Sequence, residues 1–449
     1  MPDLMMRAEL FSLLNFRQET ILDALRHSPQ LREFAGWGYW LRALVQKSNP
    51  ATASLACRAL DLAQSDQLEG KARNRLAYSM PNSELWRQVV AGLPRYRELV
   101  PKQPSLTRSI VLKRPSAREK GVLLLYFEYN WARLFLQLSA DEVTWLEDHY
   151  DLILAASWSP TDYAALALAT SVWRGTIWIQ PANHEEAGKI AAFHPRLRVL
   201  DTLACDWVNP EFYRPKPFAE RSIDLIMIAN WGAFKRHWEF FEALAKMPAS
   251  LRVVLIGQRE GGRTMETIRS LAAELKVPQT LEFHESLSID QVTAMQCDAK
   301  VSVLMSRREG GCVAAVESLF AGCALAMRSD AHVGSRAHIN DQTGALLRPG
   351  HIAEDLSALL GRAARLKPRE WAVENISCQR TTEKLNSTLR QHRLAEGSPW
   401  TRDLVLANWR PHPTFARKAD QLEMVPAYEE LHRRFPSVFP ADLWRESWR

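Results

Sequence analysis

Residues 300–322 read KVSVLMSRREGGCVAAVESLFAG. The apolar run ending near Met305 has the composition of a buried parallel strand, and a helix begins near Cys312 and stops at Gly322, a suitable helix-terminating residue. An acidic, glycine-containing loop joins the two. In open parallel sheets, ligands bind outside the carboxyl ends of the strands, where loops lead into helix N-termini with free amides and partial positive charge. Gly310 and Gly311 let the backbone come close to a ligand. The segment is therefore a place for a diphosphate; Glu309 either takes hydroxyls of a sugar or is a solvated loop residue, and Glu317, over a turn into the helix, either takes those of a ribose or is a capping or surface residue. Spacing alone carries no weight, because Glu266/Glu274 and Glu274/Glu282 repeat the same E-x7-E interval. The strand–loop–helix setting is what distinguishes Glu309 and Glu317.

The same pattern recurs on both sides. Short apolar runs at 121–127, 151–157, 176–182 and 197–203 alternate with helical stretches, and a second series follows at 224–230, 252–257, 280–284, 300–305, 323–328 and 343–348. Two consecutive series of this kind predict two Rossmann-like domains facing one another. Before them, residues 1–100 show three- and four-residue apolar steps (Leu4, Ala8, Phe11, Leu14, then Ile21, Leu25) and predict helices. The stretch 101–115, PKQPSLTRSIVLKRP, reads as a Pro- and Lys/Arg-rich connector. The expected organisation is a helical extension (1–105), a first Rossmann-like domain (106–217), a second (218–380) and a helical tail packing back on the core (381–449).

At the exit of the second series' first strand stands IANWGAFKRHWEFFEAL (228–244), with Lys235, Arg236 and His237 at a helix start. Such a cluster either neutralises a phosphate or is a solvated helix start. The chain is 449 residues long, 47% hydrophobic and 24% charged, which excludes fibrous and wholly disordered classes. No apolar run reaches membrane-spanning length, and the six scattered cysteines lack CxxC spacing, which points to a cytoplasmic protein with neither a zinc site nor a disulfide framework. The net charge of +6 is uneven: residues 1–120 hold 19 Lys+Arg against 11 Asp+Glu. The surplus lies outside 121–365, which counts 24 basic against 29 acidic residues. That distribution suits peripheral contact of the basic N-terminal region with the inner face of a membrane, an oligomer interface or an acceptor lid, rather than nucleic acid.

With these residues in place, 208–365 resembles the donor domain of the GT-B retaining glycosyltransferases of family four, the "group 1" glycosyltransferases. Ala229-Asn230…Lys235-Arg236 stands where that family has Gly-Arg…Lys-Gly. Gly257 ends the next strand, SRREGGCVAAVES (306–318) parallels S-R-x-E-G-F-G-L-x-x-x-E-A, Thr343-Gly344-Ala345-Leu346 parallels T-G-x-L, and VNPEFYRP resembles the interdomain linker. The resemblance implies an α/β chain of GT-B architecture, two Rossmann-like domains facing a cleft, with an added N-terminal helical region. It implies transfer of a hexosyl or other sugar from a nucleotide-diphosphate sugar to a glycan, glycolipid or polysaccharide-precursor hydroxyl, with retention of configuration. Lys235 would bind the diphosphate and Glu309 the transferred sugar, helped by the Gly310, Gly311 and Cys312 backbone. The Val313 and Ala314 amides would face the phosphates, and Glu317 would hold the ribose. Asn230 replaces the family's phosphate-binding Arg, for which Arg236 or His237 would substitute, and Gly311-Cys312 replaces Phe-Gly.

On the acceptor side the family's Gly-Gly loop is missing, and Glu128, Asn130, Trp131, Trp158 and His184 stand at the candidate strand ends. His184 is read as structural or solvated before catalytic, and the tryptophans as core before sugar platform. No D-x-D occurs, so a metal-independent reaction without cofactor is expected, fixed positive groups standing in for a metal. Two other readings stay open: a sugar-nucleotide epimerase of the same architecture, and a catalytically silent glycan-binding or scaffold protein.

Overall fold

Strand Ser109–Lys113 (β1) pairs antiparallel with Gly121–Tyr126 (β2), and Tyr150–Ala155 (β3), Ile177–Gln180 (β4) and Leu197–Val199 (β5) follow in parallel, in the order β1-β2-β3-β4-β5. These strands belong to a computed structural model that describes residues 18–46, 49–99, 101, 109–410 and 412–441. Alternate strand residues enter two different cores. Leu123, Leu125, Leu152, Leu154, Ile177 and Ile179 pack with helices on one face, and Val122, Leu124, Ile153, Ala155 and Trp178 pack on the other. Burial on both faces explains why the runs are apolar throughout rather than alternating.

The first of those cores also takes Ala56 and Leu60 from helix Pro50–Leu62, Trp86 and Val90 from Ser83–Gly92, and Met424, Tyr428 and Leu431 from Lys418–Arg434. The second takes Leu385 and Leu389 from helix Cys378–Ala395. Residues 35–210, 309–313 and 373 onward therefore form one unit. The helices from 35 to 99 contribute to its core and group with it.

One correction concerns the connector. Residues 102–108 lie outside the described ones, but SIVLK at 109–113 is an edge strand, with Ile110 and Leu112 facing one core and Val111 the other. Its prolines and basic flanks hid five residues that the strand alternation accounts for. The buried Lys113 ammonium ends the strand 2.5 Å from Glu119 and 3.4 Å from the centre of the Trp400 ring.

The other unit comprises residues 18–34, 211–308 and 314–372 of those described. Strands Ile223–Ile228 (β6), Val253–Gly257 (β7), Leu281–Glu285 (β8), Ala299–Leu304 (β9), Ala324–Arg328 (β10) and Gly344–Leu347 (β11) are all parallel, ordered β11-β10-β9-β6-β7-β8. Leu225, Met227, Val253, Leu255, Val301 and Val303 form its core with Phe240, Phe241, Leu356 and Leu359. The ten strands expected from sequence are thus present in two Rossmann-like sheets. No disulfide joins any of the six cysteines. No helix among the described residues is long and apolar enough to cross a membrane.

Candidate functional site

In the β6–β11 sheet the first strand lies beside the fourth, and the chain runs outward from this pair in both directions. Loops leaving two such neighbours diverge to opposite faces, which opens a crevice at their carboxyl ends. The two loops concerned are those after β6 and β9, the loops singled out in the sequence.

The β6 exit is fixed from below by Trp231. Its buried indole donates to Glu285 Oε2 (2.7 Å), and the ring lies over Gly257, where a Cβ would stand 2.8 Å from the indole and 2.5 Å from the Ala229 carbonyl oxygen. Gly257 is thus required for packing of this loop. Asn230 Nδ2 reaches Glu260 Oε2 at 3.4 Å. A 3-10 turn, Ala233–Lys235, then leads through Arg236 in a left-handed conformation (φ 56°) into helix His237–Leu244. Lys235, Arg236 and His237 are all buried, so this is not a solvated helix start. The Lys235 ammonium lies 5.1 Å from the Phe234 ring centre. His237 carries no charge to offer a phosphate: burial first, then Arg263 and Lys235, push it down to about 3.

Around Arg236 the structure closes a ring of alternating charge that sequence reading missed. Arg236 pairs with Asp23 and with Glu239 (2.9 Å); Glu239 pairs with Arg328; Arg328 with Asp330 (2.8 Å); Asp330 with Arg307 (3.3 Å); and Arg307 returns to Asp23 (3.9 Å). Arg307 follows β9 and Arg328 ends β10, so the ring lies along the carboxyl edge. Buried polar atoms at that edge without a hydrogen-bond partner among the described residues include Ser306 Oγ, Ser335 Oγ and His237 Nε2. Buried polar groups are nearly always satisfied, so such atoms mark a place where water or a ligand supplies the partner.

Helix Val313–Phe320 is anchored to β9 by the Ser318 hydroxyl, which donates to Ser302 Oγ (2.9 Å) and accepts from Gln296 Nε2 (3.2 Å). Ala314 and Glu317 on it are half-buried. The preceding residues, Glu309 to Val313, group with the β1–β5 unit. There a Cβ on Gly310 would fall 1.7 Å from the Ser157 carbonyl oxygen, and one on Gly311 2.6 Å from Cys205 Cβ. Cys312 turns the chain with φ 54°. Both glycines are thus demanded by close approach of the loop. Glu309 is half-buried.

Of the acceptor-side candidates, Glu128 is the most constrained. It is fully buried at the start of helix Glu128–Gln137 and accepts from the Ser157 amide (2.9 Å), the Trp158 amide (3.0 Å) and the Ser157 hydroxyl (2.5 Å). Burial raises its carboxyl to about 7 against those three donors. Asn130 is buried, donating to the Tyr126 carbonyl (2.6 Å) and accepting from Arg133 (2.9 Å). Trp131 is not on a platform: its ring is in the core and its indole donates to the Leu125 carbonyl (3.1 Å). Trp158 is half-buried, with the Arg95 guanidinium over its ring and the Tyr96 ring beside it. His184 is exposed at the first position of helix His184–Phe193, which fits the solvated reading.

Residues 209–373 match the family model "Glycosyl transferases group 1", a little over a third of the chain. No curated protein matches the sequence. Solved structures similar to this chain include sucrose-phosphate synthase from Thermosynechococcus elongatus (14% identity, 61% of this chain and 74% of that one, TM-score 0.48) and Anabaena Alr3699/HepE in complex with UDP (14%, 60% and 78%, 0.47). The pneumococcal O-GlcNAc transferase GtfA in complex with UDP and GlcNAc is similar over 56% of this chain and 54% of its own (14%, 0.43). At such identities and scores these likenesses say nothing of what this chain binds. The expected fold class, α/β with two Rossmann-like sheets and helices before residue 100, is the one found.

Proposed function

We propose that the protein is a glycosyltransferase that moves a hexosyl or other unit from a nucleoside-diphosphate sugar to an acceptor hydroxyl with retention of configuration. The observation that supports this most is a coincidence of place. The segment matching the group 1 family contains the strand-order reversal, and the buried Lys235 and the unpartnered Ser306 and Ser335 hydroxyls stand at that edge.

In this reading the bond between the anomeric carbon and the diphosphate oxygen breaks as the acceptor oxygen bonds to the same face of the carbon. The acceptor proton passes to the departing phosphate. Lys235 and the amides at the start of helix Val313–Phe320 hold the charge that develops there, a preorganised field doing what a metal does elsewhere. Glu309 orients the sugar, and Glu317 takes the ribose. The acceptor is a glycan or glycolipid, as in surface-polysaccharide assembly. The exposed Ile21, Leu22, Leu25, Leu31 and Phe34, with Arg26 and Arg32 among them, support peripheral contact with an anionic membrane.

Incubation with a panel of nucleotide sugars tests the reading, following nucleoside diphosphate released and the anomeric configuration of the product. The expected result is release with a retained anomer and a loss of about a hundredfold or more in Lys235→Ala and Glu309→Ala. Release from no donor, or variants at wild-type rate, would overturn it.

A further inference from the structure

Five members of the charged ring come from the carboxyl edge of the parallel sheet and the elements that leave it: Arg236, Glu239, Arg307, Arg328 and Asp330. The sixth, Asp23, comes from the helical segment 18–27. Asp23 is 16% exposed at its side chain and Arg236 only 5%. Four residues earlier, on the same face of that segment, Glu19 meets Arg263 Nη1 at 2.9 Å, after β7. The segment is therefore fastened along the carboxyl edge by its acids. Its apolar residues point the other way, with Ile21 58%, Leu22 50% and Leu25 50% exposed. A surface helix ordinarily buries its apolar stripe and leaves its charges in water. This one is reversed, so charge pairing rather than hydrophobic burial holds it.

We infer that Asp23 holds the place of a donor phosphate, and that the segment 18–27 is an acidic latch over the anion site at the strand-order reversal. The inference rests on the proposed function and specifies its regulation. With Asp23 present, three guanidiniums face three carboxylates. Without it, among the described residues, Arg236 keeps only Glu239 and Arg307 keeps only Asp330, and the ring carries one uncompensated positive charge. A phosphate between Arg236 and Arg307 restores the balance, and Lys235, adjacent in the chain, adds a further cation for a diphosphate. Nucleoside diphosphate and the Asp23 carboxylate therefore compete for the same guanidiniums. Donor binding and latch closure exclude each other, and the protein's apparent affinity is its intrinsic affinity reduced by the fraction of molecules with the latch open.

The test titrates UDP, GDP and inorganic pyrophosphate into the full chain and into Asp23→Asn and Glu19→Gln, and follows amide exchange of residues 18–27 in the wild-type protein. The latch predicts that Asp23→Asn binds pyrophosphate and a nucleoside diphosphate about tenfold or more tightly. Glu19→Gln should move the same way by less, and saturating ligand should speed exchange across 18–27 in the wild type. Equal affinity of wild type and Asp23→Asn, or exchange unchanged at saturation, overturns the latch and leaves the glycosyl-transfer reading standing. Weaker binding by Asp23→Asn does the same, since Asp23 would then help to hold the ligand. Binding by neither protein overturns both. The exchange arm needs no substitution, so a variant that fails to fold does not shelter the inference.

Discussion

Glu128 receives both the amide and the hydroxyl of Ser157, at 2.9 and 2.5 Å, from the first turn of the helix that follows β2. The Ser157 carbonyl oxygen is the atom that leaves no room for a side chain at position 310. A fully buried carboxyl thus sets the loop against which Gly310 closes.

That carboxyl makes stability depend on pH in an uncommon direction. Its folded value, about 7, lies above the ordinary 4.5, so between those values the folded state holds more protons than the unfolded one. Stability from this group is therefore full below about pH 4.5 and lost as pH rises through 7, by about 3 kcal/mol at most. Urea midpoints of the wild type and Glu128→Gln across pH 5 to 8 check this. The difference between them should change with pH in the wild type's disfavour; a constant difference would show that the three donors keep the carboxylate ionised throughout. Glu128→Ala strips the Ser157 and Trp158 amides of their acceptor and should cost about 2 kcal/mol or more at any pH.

Gly310→Ala tests the loop directly. Its Cβ would lie 1.7 Å from a backbone oxygen, which no rotamer change relieves. Backbone must shift, and overpacking of this kind costs about 1–3 kcal/mol. Thermal unfolding should show the loss, and an unchanged midpoint would mean that the loop does not sit against Ser157.

Trp131 and His184 were grouped by sequence, and the structure separates them. Trp131→Ala removes a core ring and its hydrogen bond to Leu125, for about 3–5 kcal/mol. His184→Ala alters an exposed position and should change stability by less than about 0.5 kcal/mol. Equilibrium unfolding of the two variants decides. A small effect at Trp131 would contradict its place in the core.

The strands were legible because parallel strands buried on both faces must be apolar throughout, and chain length leaves room for helices only between them. β1 was not, because SIVLK is flanked by the Pro, Lys and Arg that ordinarily mark a connector. Lys235 and Arg236 were found by their place after β6, but their burial was invisible in a run of three basic residues. The ring was further out of reach. Asp23 looks like any surface acid on a helix, and nothing local says that it meets Arg236 more than two hundred positions on. One signal is present in the sequence: Ile21 and Leu25 fall on one side of the helix, and the acids Glu19 and Asp23 on another.

In the glycosyl-transfer proposal, the carboxyl edge of the β6–β11 sheet binds the diphosphate of a sugar donor through Lys235. The decisive measurement is titration of nucleoside diphosphates into the wild type and Lys235→Ala. A buried charge-assisted contact to phosphate predicts affinity weaker by about tenfold to a hundredfold in the variant. Equal affinity in the two, with the variant folded, would contradict it.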